Sequence, residues 1–267
     1  MKISISHGIM ERKTEKHAMK EHLHTIPLNE AFDSHDECPF CFLRRQSEQR
    51  ILRYVAGPSA SYMEPEVRDV TNETGFCPAH LKKLYDYGNT LGSALMLQTY
   101  YARILEKLHG EIECFERPAP KKPFTKPKET ALPLGQFLQK ETASCHICNQ
   151  LENSMDRYYR TFFSLVKEPE FRAKVESCNG FCLTHFGELL HDAQLHLPNS
   201  QRDWFYDTIF SVMERNLTRV KEDLDWLIAK YDYRNASADW RNSRDALQRT
   251  MQKLGGGYVA DKPFKDE

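Results

Sequence analysis

The sequence lacks any apolar run near the roughly 18–20 residues that a membrane-crossing helix needs. It also lacks an excess of either charge. Its 37 Lys and Arg stand against 38 Asp and Glu, so no bulk field draws it to nucleic acid or to a membrane surface. Residues 1–25 are polar and charged and contain nothing like the apolar stretch of a signal peptide. There is no phosphate-binding glycine loop, no nucleophile elbow and no His-Glu-x-x-His motif. No segment alternates like a sustained strand. These absences favour a cytoplasmic, all-α protein without a membrane partner, and they weigh against an enzyme. A hydrophobic share of 40% still permits a real core, and the low mean hydropathy suits helices with wide exposed faces.

Cysteine and histidine carry the chemistry. Cys38 and Cys41 form one Cys-x-x-Cys pair, and Gly75-Phe76-Cys77-Pro78-Ala79-His80 follows. Cys145 and Cys148 form a second pair, and Gly180-Phe181-Cys182-Leu183-Thr184-His185 follows that one. In a reducing compartment such pairs are ligands more often than disulfides. Three thiolates and one imidazole make a complete tetrahedral donor set for zinc. Cys77 and His80 lie three positions apart, as do Cys182 and His185, so each couple fits one side of a helix's first turn. Chain order groups Cys38, Cys41, Cys77 and His80 into one site and Cys145, Cys148, Cys182 and His185 into the other. Each site then clips a loop, with 35 and 33 residues between its two halves.

With four protein donors, neither site keeps an open position, which favours a structural role over zinc-hydroxide catalysis. An iron–sulfur cluster is the alternative cofactor. Phe42 and Asn149 follow the Cys-x-x-Cys pairs where a c-type haem would need histidine, and no βαβ pattern suggests thioredoxin chemistry. His146 and His35 are rival ligands that lack a repeated counterpart. Cys114 and Cys178 fall outside the pattern and read as thiols without a role.

The repeat extends beyond the ligands. Ile26-Pro27-Leu28 is echoed by Leu132-Pro133-Leu134, and Glu64-Pro65-Glu66-Val67-Arg68 by Glu168-Pro169-Glu170-Phe171-Arg172. The paired glutamates read as acidic helix starts rather than as catalytic carboxylates. A long helix follows each histidine. The first carries Leu97, Tyr101, Ile104 or Leu105, Leu108 and Ile112. The second carries Phe205, Ile209, Val212, Leu217, Val220, Leu224, Leu227 and Tyr231. A last amphipathic helix carries Trp240, Leu247, Met251 and Leu254 and closes at Gly255-Gly256-Gly257. Tyr158, Tyr159, Phe162 and Phe163 read as core rather than as a base-stacking platform.

The expected organisation is a flexible segment 1–25 with His7, His17, His22 and His24, then a helical metal-binding unit 26–116. A Pro- and Lys-rich linker 117–130 leads to a second unit 131–236, and a C-terminal helix and tail occupy 237–267. The linker could touch phosphate backbone, although a solvated spacer explains it better.

The duplicated Cys-x-x-Cys … Gly-Phe-Cys-x-x-His pattern, its long helices and the closing Trp240–Gly256 segment resemble an uncharacterised bacterial family of cysteine-rich helical proteins, a domain of unknown function. The resemblance covers residues 26–256. It implies an all-helical fold and metal binding by Cys38, Cys41, Cys77, His80, Cys145, Cys148, Cys182 and His185, and it brings no substrate. The expected function is a zinc-binding interaction or regulatory protein with an unidentified protein partner. The alternative is a redox- or metal-sensing protein with a labile zinc or iron–sulfur site.

Overall fold

The computed structural model describes residues 24–57, 61–117 and 132–259, and no strand occurs among them. Expectations for His7, His17 and His22, for linker residues 118–130 and for the tail from 260 lie outside the described residues. His24 is described, and its ring meets Tyr158 edge-on at 5.9 Å.

The chain is a succession of helices: α1 (24–33), α2 (Pro39–Ala56), α3 (Pro65–Thr74), α4 (Pro78–Tyr87), α5 (Thr90–Glu113), α6 (Pro133–Ala143), α7 (His146–Leu165), α8 (Pro169–Ser177), α9 (Leu183–His196), α10 (Asn199–Ala229) and α11 (Ala246–Gly255). Proline opens α2, α3, α4, α6 and α8. The missing proline N–H is one that a first turn leaves unbonded anyway, and its fixed φ suits the helix.

The motif segments recur in conformation as well as in sequence. Gly75 and Gly180 both take positive φ, +60° and +84°. Cys77 and Cys182 are both extended N-caps, at φ −72°, ψ 162° and φ −75°, ψ 161°. At Gly75 no side chain fits, because a Cβ would stand 2.3 Å from the Tyr100 ring.

Two compact units divide the described chain, and each contains one group of three cysteines and a histidine. The terminal unit takes the described residues up to Ser47 and those from Asn153 onward. The central unit takes those from Glu48 to Glu152. The division falls inside α2 and α7, so a unit is not the same thing as a sequence repeat.

The core of the terminal unit is aromatic. Phe32, Phe40, Phe162, Phe171, Phe181 and Phe205 are all buried, with neighbouring ring centroids 5.0 to 6.3 Å apart. Each such side chain contributes about 1.5–3 kcal/mol through burial, and the edge-on contacts add to it. Tyr158, Tyr159, Phe162 and Phe163 are all buried, as their core reading requires. The core of the central unit gathers Leu52, Val55, Ala56, Phe76, Leu84, Met96 and Ile147 around Cys145.

Three expected faces differ from the structure. On α10, Asn216 points inward and Leu217 outward. Asn216 Nδ2 donates to the carbonyls of Cys178 and Val212, at 3.1 and 2.9 Å, so its amide is satisfied inside the core. On α5 only Gly92 and Met96 are buried, while Tyr101, Leu105 and Ile112 are exposed. The third helix, α11, is turned over. Leu247, Met251 and Leu254 are exposed, and the buried residues are Ala246, Gln252 and Lys253. Trp240 lies before α11 rather than in it, under the Lys230 ammonium at 4.9 Å.

Candidate metal centres

In the terminal unit, Asp36 prepares the first donor pair by accepting the Cys38 N–H at 3.0 Å, a local turn that feeds α2. Cys38 and Cys41 then face Cys182 at the N-cap of α9 and His185 in its first turn, and all four are buried. Nδ1 of His185 is 3.3 Å from Cys38 Sγ, 3.4 Å from Cys41 Sγ and 3.1 Å from Cys182 Sγ. Cys41 Sγ and Cys182 Sγ are 3.7 Å apart.

The central unit repeats this arrangement with Cys145 and Cys148, around the start of α7, and with Cys77 and His80 of α4. Nδ1 of His80 is 3.2 Å from Cys77 Sγ, 3.3 Å from Cys145 Sγ and 3.4 Å from Cys148 Sγ, and Cys77 Sγ and Cys148 Sγ are 3.8 Å apart. Here His80 and Cys145 are buried, while Cys77 and Cys148 are half-buried.

Within each cluster the donor atoms all lie within 4.8 Å of one another. A zinc tetrahedron with bonds of about 2.3 Å to sulfur and about 2.0 Å to nitrogen has edges of about 3.8 Å between sulfurs and about 3.5 Å between sulfur and nitrogen. The donor sets fit one such ion each, so both clusters could hold a metal.

The grouping of donors corrects the one drawn from chain order. Each Cys-x-x-Cys pair meets the Cys-x-x-His couple of the other repeat. Backbone contacts show why. The His146 N–H donates to the Gly75 carbonyl at 2.9 Å, joining the first Gly-Phe-Cys turn to the second Cys-x-x-Cys. Asn179 Nδ2 donates to the His35 carbonyl at 2.6 Å, joining the second turn to the segment before the first Cys-x-x-Cys. His35 and His146, the rival ligands, serve through their backbone, and neither belongs to a cluster. Cys178 is buried, with its sulfur 3.4 Å from the Gly180 N–H, and Cys114 is exposed.

Crowded sulfurs divide their protons unevenly. Burial opposes the Cys145 thiolate, but hydrogen bonds from His80 and from the amides of Cys148 and Cys77 outweigh it and bring its pKa down to about 6. Burial and the neighbouring Cys145 push Cys148 up to about 12. In the terminal unit, hydrogen bonds from Cys38 and Cys41 draw Cys182 well below the ordinary thiol range, while burial raises Cys38. Burial works against both imidazolium ions. Thiolate contacts prevail and raise His185 to about 9, and with Glu48 they raise His80 to about 10. A single cation relieves this crowding, because it takes three thiolates and a neutral imidazole at once.

The model of a family of unknown function, DUF6062, matches residues 19–261. The chain belongs to this family. A relative from Caldicellulosiruptor sp. (strain Rt8B.4), "Uncharacterized 23.9 kDa protein in xynA 3'region", is 22% identical over 201 residues, which cover 75% of this chain and 85% of the relative. No solved structure matches the chain. Family membership bears out the resemblance carried by the duplicated motifs, and it supplies no activity.

The surroundings of the clusters contain residues that sequence reasoning missed. Glu48 Oε1 is 2.9 Å from His80 Nε2, and its other oxygen accepts from Lys83. Burial opposes the Glu48 charge, yet these two partners hold its pKa down to about 2. A carboxylate behind a ligand histidine fixes the ring and its tautomer. Glu48 follows Cys41 by seven residues, and the residue seven after Cys148 is Met155, so comparing the repeats hides this partner. His185 instead has Phe40 beside its ring, at 5.9 Å.

The other missed group is α11. Buried Lys253 donates to the carbonyls of Glu37 and Asn179, both at 2.5 Å, and pairs with the Glu37 carboxylate at 3.1 Å. Gln252 donates to Asp36 at 2.6 Å. The chain then turns through Gly256 at φ +70°, and the Gly257 N–H points to Cys41 Sγ at 3.2 Å. A Cβ on Gly256 would stand 3.4 Å from Cys182 Sγ. The closing glycines therefore cover the first cluster as well as ending a helix. Their signal in the sequence was a plain C-cap.

Proposed function

We propose that this protein is a cytoplasmic helical scaffold with two structural zinc ions, acting through a protein partner in an interaction or regulatory role. The observation that carries the reading is the complete set of four protein donors in each cluster, all within 4.8 Å of one another and with the histidine nitrogen 3.1 to 3.4 Å from each sulfur, near the edges of a zinc tetrahedron. A filled tetrahedron has no position for a reacting water, which supports holding helices in place over hydrolytic chemistry. The close donor spacing suits one ion better than an iron–sulfur cluster, whose ligand sulfurs must surround several atoms. Among the described residues no helix is long and apolar enough to cross a membrane. The protein partner is supported by exposed Tyr101, Leu105 and Ile112 on α5, which recur at helical spacing.

Metal analysis of untagged protein purified without air tests this reading. Two zinc ions per chain and a colourless solution are expected. A brown sample with sulfide-to-iron charge-transfer absorption overturns it in favour of an iron–sulfur protein. A second reading, in which one site is labile to oxidant, is favoured by the half-exposure of Cys77 and Cys148.

A further inference from the structure

Spacing alone does not distinguish the clusters. Sulfurs of different motifs stand 3.7 Å apart in the first, between Cys41 and Cys182, and 3.8 Å apart in the second, between Cys77 and Cys148. Access does distinguish them. All four donors of the first cluster are buried, and the Gly256–Gly257 turn lies against two of its sulfurs. In the second cluster, Cys145 and His80 are buried while Cys77 and Cys148 are both only half-buried.

We propose that Cys77 and Cys148 are an oxidation-sensitive thiol pair, through which a hydroperoxide opens the second cluster while the first keeps its metal. This rests on the zinc reading above and adds regulation to one of its sites.

Thiolate oxidation follows sulfur exposure and nucleophilicity. One of the two half-buried cysteines attacks the peroxide through its sulfur, the O–O bond breaks, and a sulfenate and one water result. The other sulfur attacks the sulfenate sulfur, the S–S bond forms, and the S–O bond breaks to release the second water. In sum, two thiolates, one hydrogen peroxide and two protons give one disulfide and two waters. The sulfurs close from 3.8 Å to a bond of about 2.05 Å, a movement of under 2 Å shared by the N-cap of α4 and the first turn of α7. Cys145 and His80 remain as a half-set of donors, too few to retain zinc.

The test uses the full chain carrying Cys114→Ser, which removes an exposed thiol outside both clusters. Zinc is counted before treatment. Hydrogen peroxide is then added in small molar excess. A chromophoric chelator follows zinc release, and fragmentation mass spectrometry of the unreduced digest assigns the disulfide. The expected result is one zinc released per chain, one retained, and a Cys77–Cys148 disulfide that a thiol reductant reverses. Release of both ions together, release of neither, or a product on Cys38, Cys41, Cys182 or between Cys145 and Cys148 overturns the inference and leaves the zinc reading standing. Fewer than two zinc ions at the outset overturns both.

Discussion

The first cluster is covered and the second is braced. Around Cys38, Cys41, Cys182 and His185, the helix α11 supplies Lys253 and Gln252, the turn after it supplies the Gly257 N–H, and every donor is buried. Around Cys77, His80, Cys145 and Cys148, the supporting group is Glu48 with Lys83, and Cys77 and Cys148 are only half-buried. The donor chemistry is the same in both. The repeated motif sets what each cluster could bind, and the unrepeated surroundings differ in how far they bury its donors. Lys253 illustrates the cost of covering a site. Its ammonium is buried, so three acceptors must converge on it: two carbonyls and the Glu37 carboxylate, which also takes Arg219 at 2.7 and 2.9 Å.

The largest expected effect tests whether the clusters are independent. Cys41→Ser combined with Cys182→Ser removes one zinc per chain. Cys41→Ser combined with Cys77→Ser removes both, and lowers the melting temperature by ~10 °C or more at about 2–4 °C per kcal/mol. Metal counting on the two double variants checks this. If donors grouped by repeat, the two results would be exchanged.

Next is Lys253→Met, which uncovers the first cluster and leaves the Glu37 and Asn179 carbonyls unpaired. A loss of about 3–5 kcal/mol is expected, and zinc transfer from the first cluster to a chelator should become as fast as from the second. Denaturant unfolding and transfer kinetics measure the two parts. Transfer that stayed at the wild-type rate would show that α11 does not control access.

Glu48→Ala acts on the opposite side of the comparison. Loss of a carboxylate behind a ligand histidine lowers metal affinity about 10–100-fold. The second cluster should weaken by that amount in a chelator competition, and the first should not change.

The smallest effect is Leu254→Ser. Its side chain is 61% exposed, so a change within about ±0.5 kcal/mol is expected. Phe162→Ala in the terminal core should cost about 3–5 kcal/mol. Thermal melts of both compare an apolar residue that pattern alone places inside with one that the structure places inside.

Helix positions and the eight donors were legible because their causes are local. Proline at a first helical position, glycine at positive φ and cysteines or histidines three apart act within a turn or two of chain. The facing of α11 was not legible. Its apolar stripe satisfies every rule for a buried face, yet Gln252 and Lys253 face inward because Asp36 and Glu37, more than 200 residues away in sequence, offer them partners. Glu48 was hidden for a similar reason, since it serves a histidine 32 residues further on and has Met155 as its repeat counterpart.

Sequence by itself determined that this chain is helical and that it carries two complete donor sets, because the half-sites are short-range objects. Only the tertiary structure decided which halves meet. Joining Cys41 to Cys182, 141 residues away, rather than to Cys77 costs only about 1 kcal/mol more in loop closure. Chain distance therefore discriminates weakly, and the buried phenylalanines and the Gly75–His146 and His35–Asn179 contacts outweigh it.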